Sequence, residues 1–157
     1  MLVFVISLVM MWLTVVIHAL GGVYWLKFLG KLLMNDEIRH EPRRMFRVIM
    51  MTAMVLLLLH MLQVYLYAFL FYALPGHAGL ESFHQAFYFS VVTFTTLGYG
   101  DVVVDPQWQM IAGTEGMVGI VVFGLTAALL FSIIQKSWTI RHETHPEKSG
   151  FEKIERE

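Results

Sequence analysis

The sequence predicts an all-α membrane protein with three membrane-spanning helices and a shorter helix that enters the membrane without crossing it. Of the 157 residues, 57% are hydrophobic and only 15% are charged, a balance far more apolar than that of a soluble domain. Three runs are nearly free of charge, and each exceeds the roughly 20 residues that a helix needs to cross a bilayer. A fourth apolar run is too short to cross.

The first run, residues 1–26, contains no charged residue and predicts the first membrane helix. A secretory signal peptide is the alternative, but it would have a positive start and an apolar stretch of roughly 7 to 15 residues. This run lacks the positive start and is longer, so a retained helix is favoured. Gly21 and Gly22 would either loosen its end or allow another helix to come close.

Residues 27–47 form a polar connector with an excess of positive charge. Short loops rich in Lys and Arg stay on the cytoplasmic side of a membrane, largely regardless of their acidic residues. The connector is therefore predicted to be cytoplasmic, with Pro42 interrupting any helix that runs through it. Its charged residues are Lys27, Lys31, Arg39, Arg43, Arg44 and Arg47, against Asp36, Glu37 and Glu41.

Residues 48–74 predict the second spanning helix, which Pro75 and Gly76 end. Residues 83–94 are apolar but too short to span, which indicates a re-entrant helix. This short helix runs into a Thr- and Gly-rich segment. Irregular backbone at membrane depth is tolerated only when it is buried in protein or lines a water-filled cavity, so a pore is implied.

Residues 108–135 predict the third span, and residues 136–157 form a short charged tail. Three spans put the two termini on opposite sides of the membrane. With the connector in the cytoplasm, the amino terminus faces outward and the tail faces inward. The Thr- and Gly-rich segment is not repeated in the sequence, so one chain supplies only one such segment to the pore.

The segment after the short helix reads Thr95-Thr96-Leu97-Gly98-Tyr99-Gly100-Asp101. It resembles the signature of potassium channels, usually Thr-Val-Gly-Tyr-Gly-Asp, with Leu97 in place of the valine. The resemblance covers roughly residues 48–135 and is to the simple two-helix bacterial potassium channels, so it implies a prokaryotic plasma membrane. The first helix lies outside it.

In that family four subunits surround one pore, and rings of backbone carbonyl oxygens replace the water around K+. The resemblance implies K+ sites at the carbonyls of Thr96, Leu97, Gly98 and Tyr99, with the Thr96 hydroxyl adding the innermost ring. Gly98 and Gly100 can adopt backbone conformations closed to residues with a Cβ. The expected partners are three further copies of the chain, membrane lipids and the transported K+.

The resemblance also implies residues that support the filter or shape the cavity. Thr95 matches the end of the family's pore helix, and Tyr99 should pack outward against the surrounding pore helices. Val92 stands where some relatives have a glutamate that pairs with the filter aspartate, so Asp101 is predicted to bond the Tyr88 hydroxyl instead. In the last helix, Gly119 is a candidate hinge or a close-packing residue. The cavity-facing residues would be Ile120, Phe123 and Ala127.

Glu115 is the one formal charge in the predicted spans, and an intramembrane charge is a functional hypothesis by default. Its distance from Trp108 places it in the outer half, behind the pore helix, where Ser90 or Thr93 would be its partner. We expect it to brace the filter. A proton-sensing site and a wetter, solvent-exposed position are the alternatives.

The histidines allow either pH sensing or a neutral, hydrogen-bonded role. For His18 and His60, inside the spans, the neutral role is favoured, since no paired spacing suggests a metal site. His77 and His84 lie on the outer side, where external pH sensing is an option. The acids Glu81, Asp101 and Asp105 have no basic neighbour there and are expected to concentrate cations.

Other functions find little support in the sequence. There is no cysteine for a disulfide or thiolate site, no basic patch for nucleic acid and no enzyme motif. Two rival interpretations remain: a weakly selective cation channel, if Leu97 alters the filter, and an accessory subunit that does not conduct alone. The gating stimulus is open, with lipids at the connector and pH as hypotheses.

Overall fold

The computed structural model describes residues 1–33 and 42–144. Three long helices are α1 (Leu2–Leu33), α2 (Pro42–Ala73) and α4 (Gln109–Thr144), and a short helix, α3 (Phe83–Phe94), lies between α2 and α4 in sequence. Each long helix contains a stretch long and apolar enough to cross a membrane. No strand occurs in the two described stretches. The predicted all-α membrane fold is confirmed.

The long helices extend beyond the predicted spans. α1 continues to Leu33 rather than ending at residue 26, because Lys27 and Lys31 are good helix formers whose long side chains can reach water from a membrane helix. α2 begins at Pro42 rather than at residue 48, and proline is favoured in a first helical turn, where no N–H is needed. α4 continues to Thr144, past the predicted end at residue 135.

Part of the predicted connector and tail lies outside the described residues. This applies to the charged connector residues Asp36, Glu37, Arg39 and Glu41, and to the tail beyond Thr144.

α3 occupies the residues predicted for the re-entrant helix. Ser82 caps its first turn, since its side-chain oxygen accepts a hydrogen bond from the Gln85 backbone N–H at 3.2 Å. The Gln85 side chain in turn accepts one from the Glu81 backbone N–H at 2.6 Å. Twelve residues rise only about 18 Å, whereas the hydrocarbon layer is about 30 Å thick. A helix of this length is too short to cross the hydrocarbon layer, as expected for a re-entrant helix.

Aromatic side chains fix α3 against its neighbours. The Phe89 ring meets Phe71 of α2 edge-on at 5.2 Å between centroids, and the Phe87 ring lies 4.5 Å from that of Tyr65. Phe94, at the end of α3, is only 1% exposed. The position of the segment after Phe94 is thus set by a packed core, whose fully buried members include Tyr67, Phe71, Ile111 and Val122.

α1 packs on both α2 and α4 through its two central glycines. A Cβ on Gly21 would lie 2.7 Å from Leu59 Cδ1 of α2, and one on Gly22 would lie 2.9 Å from Leu129 Cδ1 of α4. α1 runs through both glycines without a break. Of the two roles predicted for this pair, the structure supports close helix contact.

Polar contacts also join α1 to α2. Trp25 Nε1 donates to Thr52 Oγ1 at 3.0 Å, and Gln63 Nε2 donates to the Thr14 carbonyl oxygen at 3.1 Å. Hydrogen bonds between side chains and another helix favour association in a membrane, where the alternative is an unpaired polar group in hydrocarbon. The first helix is therefore an integral part of the subunit.

Candidate functional site

The segment that follows α3 alternates between residues with a positive φ and residues without one. Thr96, Gly98 and Gly100 have φ values of +60°, +57° and +76°, whereas Leu97 and Tyr99 between them do not have positive φ. Such alternation turns successive peptide units the same way, so that N–H groups line one side, as in an anion-binding nest, and carbonyls line the other. A row of carbonyl oxygens is what a dehydrated K+ requires.

The backbone conformation, rather than crowding, explains the two glycines. A Cβ on Gly98 or Gly100 would meet no atom of the same subunit within 4 Å, but both φ values lie where glycine is favoured. Thr96 holds a positive φ although it has a side chain. Residues held in such sparsely populated conformations cluster at functional sites.

Hydrogen bonds to the last turn of α3 use the N–H groups of this segment. The Val92 carbonyl oxygen accepts from the N–H groups of Leu97 at 2.9 Å and Gly98 at 3.3 Å. The Thr95 hydroxyl donates to the Val91 carbonyl oxygen at 2.7 Å. These bonds hold the segment to α3 through its donors, which leaves carbonyl oxygens free to bind a cation.

Tyr88 and Asp101 form the predicted contact. The Tyr88 hydroxyl donates to Asp101 Oδ2 at 2.7 Å, which ties the end of the filter segment back to the middle of α3. The hydrogen bond to the Asp101 carboxylate raises the pKa of the Tyr88 phenol above its ordinary value, because it stabilises the neutral, donating form.

Glu115 lies behind α3 and is fully buried. The buried Ser90 hydroxyl faces its carboxyl group, yet neither group makes a hydrogen bond of ordinary geometry within the described residues. A buried carboxyl group strongly favours a polar partner, so the placement beside Ser90 is consistent with the predicted bracing role, which stays a prediction.

Gly119 lies where α4 crosses the end of α3. A Cβ there would overlap the Phe94 carbonyl oxygen, so glycine is required for this close approach. The geometry therefore supports the close-packing role of Gly119, and the hinge role stays a prediction.

The predicted cavity residues lie on the exposed side of α4 in a single subunit. Ile120 is 63% exposed and Phe123 is 40% exposed, and Ala127 is also exposed. The Phe123 ring additionally stacks on His60 of α2, with centroids 4.5 Å apart and planes 16° apart. Phe123 is thus shared between an exposed face and the helix interface.

A left-handed turn, Pro75–Gly79, precedes α3 on the predicted outer side. Asp105 holds this turn through its N–H, which donates to the Ala78 carbonyl oxygen at 2.9 Å. Its carboxylate packs so closely on Gly79 that a Cβ there would lie 2.6 Å from a carboxylate oxygen. The His77 ring stacks on Tyr72 at 4.3 Å, and His77 Nδ1 donates to the Tyr72 carbonyl oxygen at 2.6 Å. Four further side chains on the predicted outer side are exposed: the acids Glu81, Asp101 and Asp105, and the second outer histidine, His84.

His18 and His60 meet at one hydroxyl group, that of Thr126 in α4. Hydrogen-bonded histidines were predicted from the sequence, but their shared partner Thr126 was not. No local signal identifies it, since threonine in an apolar helix usually bonds the carbonyl of the preceding turn. The buried Gln63 was missed too, although an amide within an apolar run is itself a signal.

Comparison with known proteins decides the family. A family model described as an ion channel matches residues 54–136, just over half of the chain. The chain belongs to this ion channel family. The match confirms the predicted relation to the potassium-channel pore domain. No curated protein and no solved structure matches the chain.

The matched part of the channel includes most of α2, all of α3, the filter segment and the spanning part of α4. α1 lies outside it, so its contacts with α2 and α4 are additions to the family's pore domain. Family membership and three apolar helices together show a membrane protein of the ion channel type.

Proposed function

We propose that the channel is a homotetramer that conducts K+ selectively and passively down its electrochemical gradient. The observation that supports this most is the filter segment: its residues match the potassium-channel signature, and its φ values alternate in sign from Thr96 to Gly100. The residue types and the backbone conformation both support the same chemistry.

In the proposed mechanism, a K+ ion sheds water as it enters the filter and is bound by backbone carbonyl oxygens. Thr96, Leu97, Gly98 and Tyr99 supply the carbonyls, and the Thr96 hydroxyl supplies the innermost ring. Ions in neighbouring sites repel each other, which allows tight binding and rapid exit together. The hydrogen bonds from the segment's N–H groups to α3 keep the oxygens aimed at the axis.

Four copies are needed because one chain provides only one row of oxygens. The side chains of Leu97 and Tyr99 are 55% and 67% exposed on one subunit, although both follow a buried helix end. Burial of large side chains against neighbouring copies would stabilise a tetramer. In the proposed assembly, Tyr99 packs between pore helices and fixes the diameter of the filter.

Charge on the outer side would favour cation entry. Glu81, Asp101 and Asp105 are exposed near the filter, and no Lys or Arg occurs between Arg47 and Lys136. Fourfold repetition of these acids would raise the local cation concentration, an effect that salt screens.

The function is tested by reconstituting the purified chain in liposomes and comparing K+ and Na+ flux. We expect K+ flux that exceeds Na+ flux at least about a hundredfold and is blocked by Ba2+, which resembles K+ in size but binds carbonyl oxygens more strongly. Comparable K+ and Na+ fluxes would favour the weakly selective channel that Leu97 suggests. Absence of tetramers and of flux would favour the accessory subunit.

Two glycine variants sharpen this test. Gly98→Ala places a Cβ at a φ of +57° and should abolish selective flux, because the carbonyls on either side must turn. Gly30→Ala is the matched control, since a Cβ on this α1 residue meets nothing within 4 Å. Equal K+ flux through both variants would overturn the assigned filter.

A further inference from the structure

One hydroxyl group joins three helices within the membrane spans. Thr126 Oγ1 of α4 lies 3.1 Å from His18 Nε2 of α1 and 3.3 Å from His60 Nε2 of α2. We call these three side chains the His–Thr–His bridge. His18 is fully buried and His60 is 5% exposed, so both rings are enclosed by protein, whereas Thr126 is half-buried.

The hydrogen bonds of the bridge define which atoms hold protons. His60 Nδ1 lies 2.7 Å from the Leu56 carbonyl oxygen, which can only accept, so Nδ1 carries the proton. In a neutral His60 ring, Nε2 is then an acceptor and receives the Thr126 hydroxyl hydrogen. Thr126 has only one hydrogen to donate, so His18 Nε2 must donate to its oxygen. Both rings are neutral in this arrangement.

One atom of the bridge has no partner. His18 Nδ1 is buried and makes no hydrogen bond within the described residues. In the neutral arrangement it holds a lone pair, so it is the free acceptor for an additional proton. A proton taken up there would create a buried N–H without an acceptor and a positive charge in an apolar environment, which is strongly unfavourable.

The surroundings provide no compensating negative charge. The His18 and His60 rings face each other at 5.1 Å. From α3 the neighbour of His60 is Phe94 at 6.2 Å, and from α4 it is Phe123. Within residues 1–33 and 42–144, no acidic side chain acts on either histidine, and the one titratable group that faces His18 is His60. Protonation of one ring would thus also oppose protonation of the other.

We propose that the His–Thr–His bridge is a proton-sensitive latch that holds α1 against α4 of the channel. The latch is closed while both histidines are neutral. A proton taken up from the aqueous phase opens it, because α1 must move for the charged ring to reach water. Thr126 lies on α4 and His60 stacks on Phe123 of α4, so opening changes the packing of the helix that carries the predicted cavity residues. The proposal does not depend on which ion the channel selects.

The test uses the absence of native cysteine. Gly22→Cys and Leu129→Cys are introduced together next to the bridge, where a Cβ on Gly22 would lie 2.9 Å from Leu129 Cδ1. The rate of disulfide formation between them reports the contact of α1 with α4. It is measured as loss of free thiols in the full chain in lipid vesicles, without an ion gradient.

Two substitutions of Thr126 distinguish the effect of the bridge on the cross-linking rate from the effect of pH on the thiols. Thr126→Ser keeps the hydroxyl group, whereas Thr126→Val keeps the shape and removes it. Thiolate formation depends on pH equally in both, so the ratio of their cross-linking rates isolates the effect of the bridge. At about pH 8 we expect the Ser variant to cross-link about fivefold faster than the Val variant, the factor for one hydrogen bond.

As the pH is lowered to about 4, through the range in which histidine titrates, this ratio should fall to about one. A ratio that stays constant over the whole range, or that equals one throughout, would overturn the latch. A second variant, His18→Gln, retains an N–H donor but does not titrate. In the His18→Gln background, the ratio of the Ser to the Val cross-linking rate should stay high at both pH values. If this ratio still falls to about one in acid, His18 is not the proton acceptor.

Discussion

Among single residues, Tyr88 gives the clearest pH-dependent prediction. Its pKa is raised by the hydrogen bond to Asp101, so the bond is fully present below the ordinary tyrosine value of about 10 and is lost as the pH rises through the raised value. The ultraviolet absorbance difference between the wild type and Tyr88→Phe isolates this phenol. Its midpoint should lie above that of free tyrosine, and a midpoint at or below that value would contradict the observed bond.

Glu115 provides a second test for a single residue. Glu115→Gln keeps polar atoms beside Ser90, whereas Glu115→Met has a similar length without them. If Glu115 braces the filter, K+ flux through the Met variant should decline about fivefold faster than through the wild type, the effect of one lost hydrogen bond. The Gln variant should stay within about twofold. Identical time courses for both variants would remove Glu115 from the filter support.

At the scale of helices, the crossing of α3 and α4 depends on Gly119. Gly119→Ala would force a Cβ into the Phe94 carbonyl oxygen, and overpacking of this kind destabilises proteins by about 1–3 kcal/mol. Gly113→Ala, on the same helix, meets nothing within 4 Å and should stabilise it by up to about 1 kcal/mol through helix propensity.

The two glycine variants are compared by thermal unfolding of the purified protein in detergent. The unfolding temperature of Gly119→Ala should lie below that of the wild type, and that of Gly113→Ala at or above it. Equal unfolding temperatures for the two variants would show that α4 does not press on the end of α3.

The sequence predicted the bounds of some helices better than those of others, for physical reasons. The bounds of α3 follow from local signals: a Ser82 cap, an apolar run and a Thr- and Gly-rich end. α1 and α2 extend beyond the predicted spans because a charged residue does not end a helix: Lys27 and Lys31 continue α1, and Pro42 starts α2. Helix formation and membrane burial are separate properties, and charge reports only the second.

Contacts between distant residues were the least predictable. The Tyr88–Asp101 bond joins neighbouring segments and was inferred from the family pattern. The meeting of His18, His60 and Thr126 depends on where α1 packs, and the family pattern does not include α1. The direction in which a helix docks depends on side-chain fit along its whole length, such as the contacts of Gly21 and Gly22, and no short pattern encodes it.

For the whole molecule, the charge distribution predicts an outside amino terminus and an inside connector. The chain has no cysteine, so a single introduced cysteine reports which side of the membrane its position faces. Glu81→Cys should react with a membrane-impermeant maleimide added outside intact cells. Lys31→Cys should react only after permeabilisation. The opposite labelling pattern would invert the proposed orientation.

The subunit as a whole combines a filter held by α3, an inner helix packed against the end of α3, and a first helix bonded to both α2 and α4. The filter would set which ion passes, while the contacts of α1 would influence when it passes. Because these proposed roles involve different residues, we expect that selectivity and gating can be altered separately.

In the proposed function, the alternating backbone of residues 96–100 selects K+. The most direct measurement is the reversal potential of a planar bilayer that contains the reconstituted channel, with K+ on one side and an equal concentration of Na+ on the other. We predict a strongly displaced potential, more than about 100 mV in the direction set by K+ permeation, since dehydrated K+ fits the carbonyl sites. A reversal potential near zero would contradict the account.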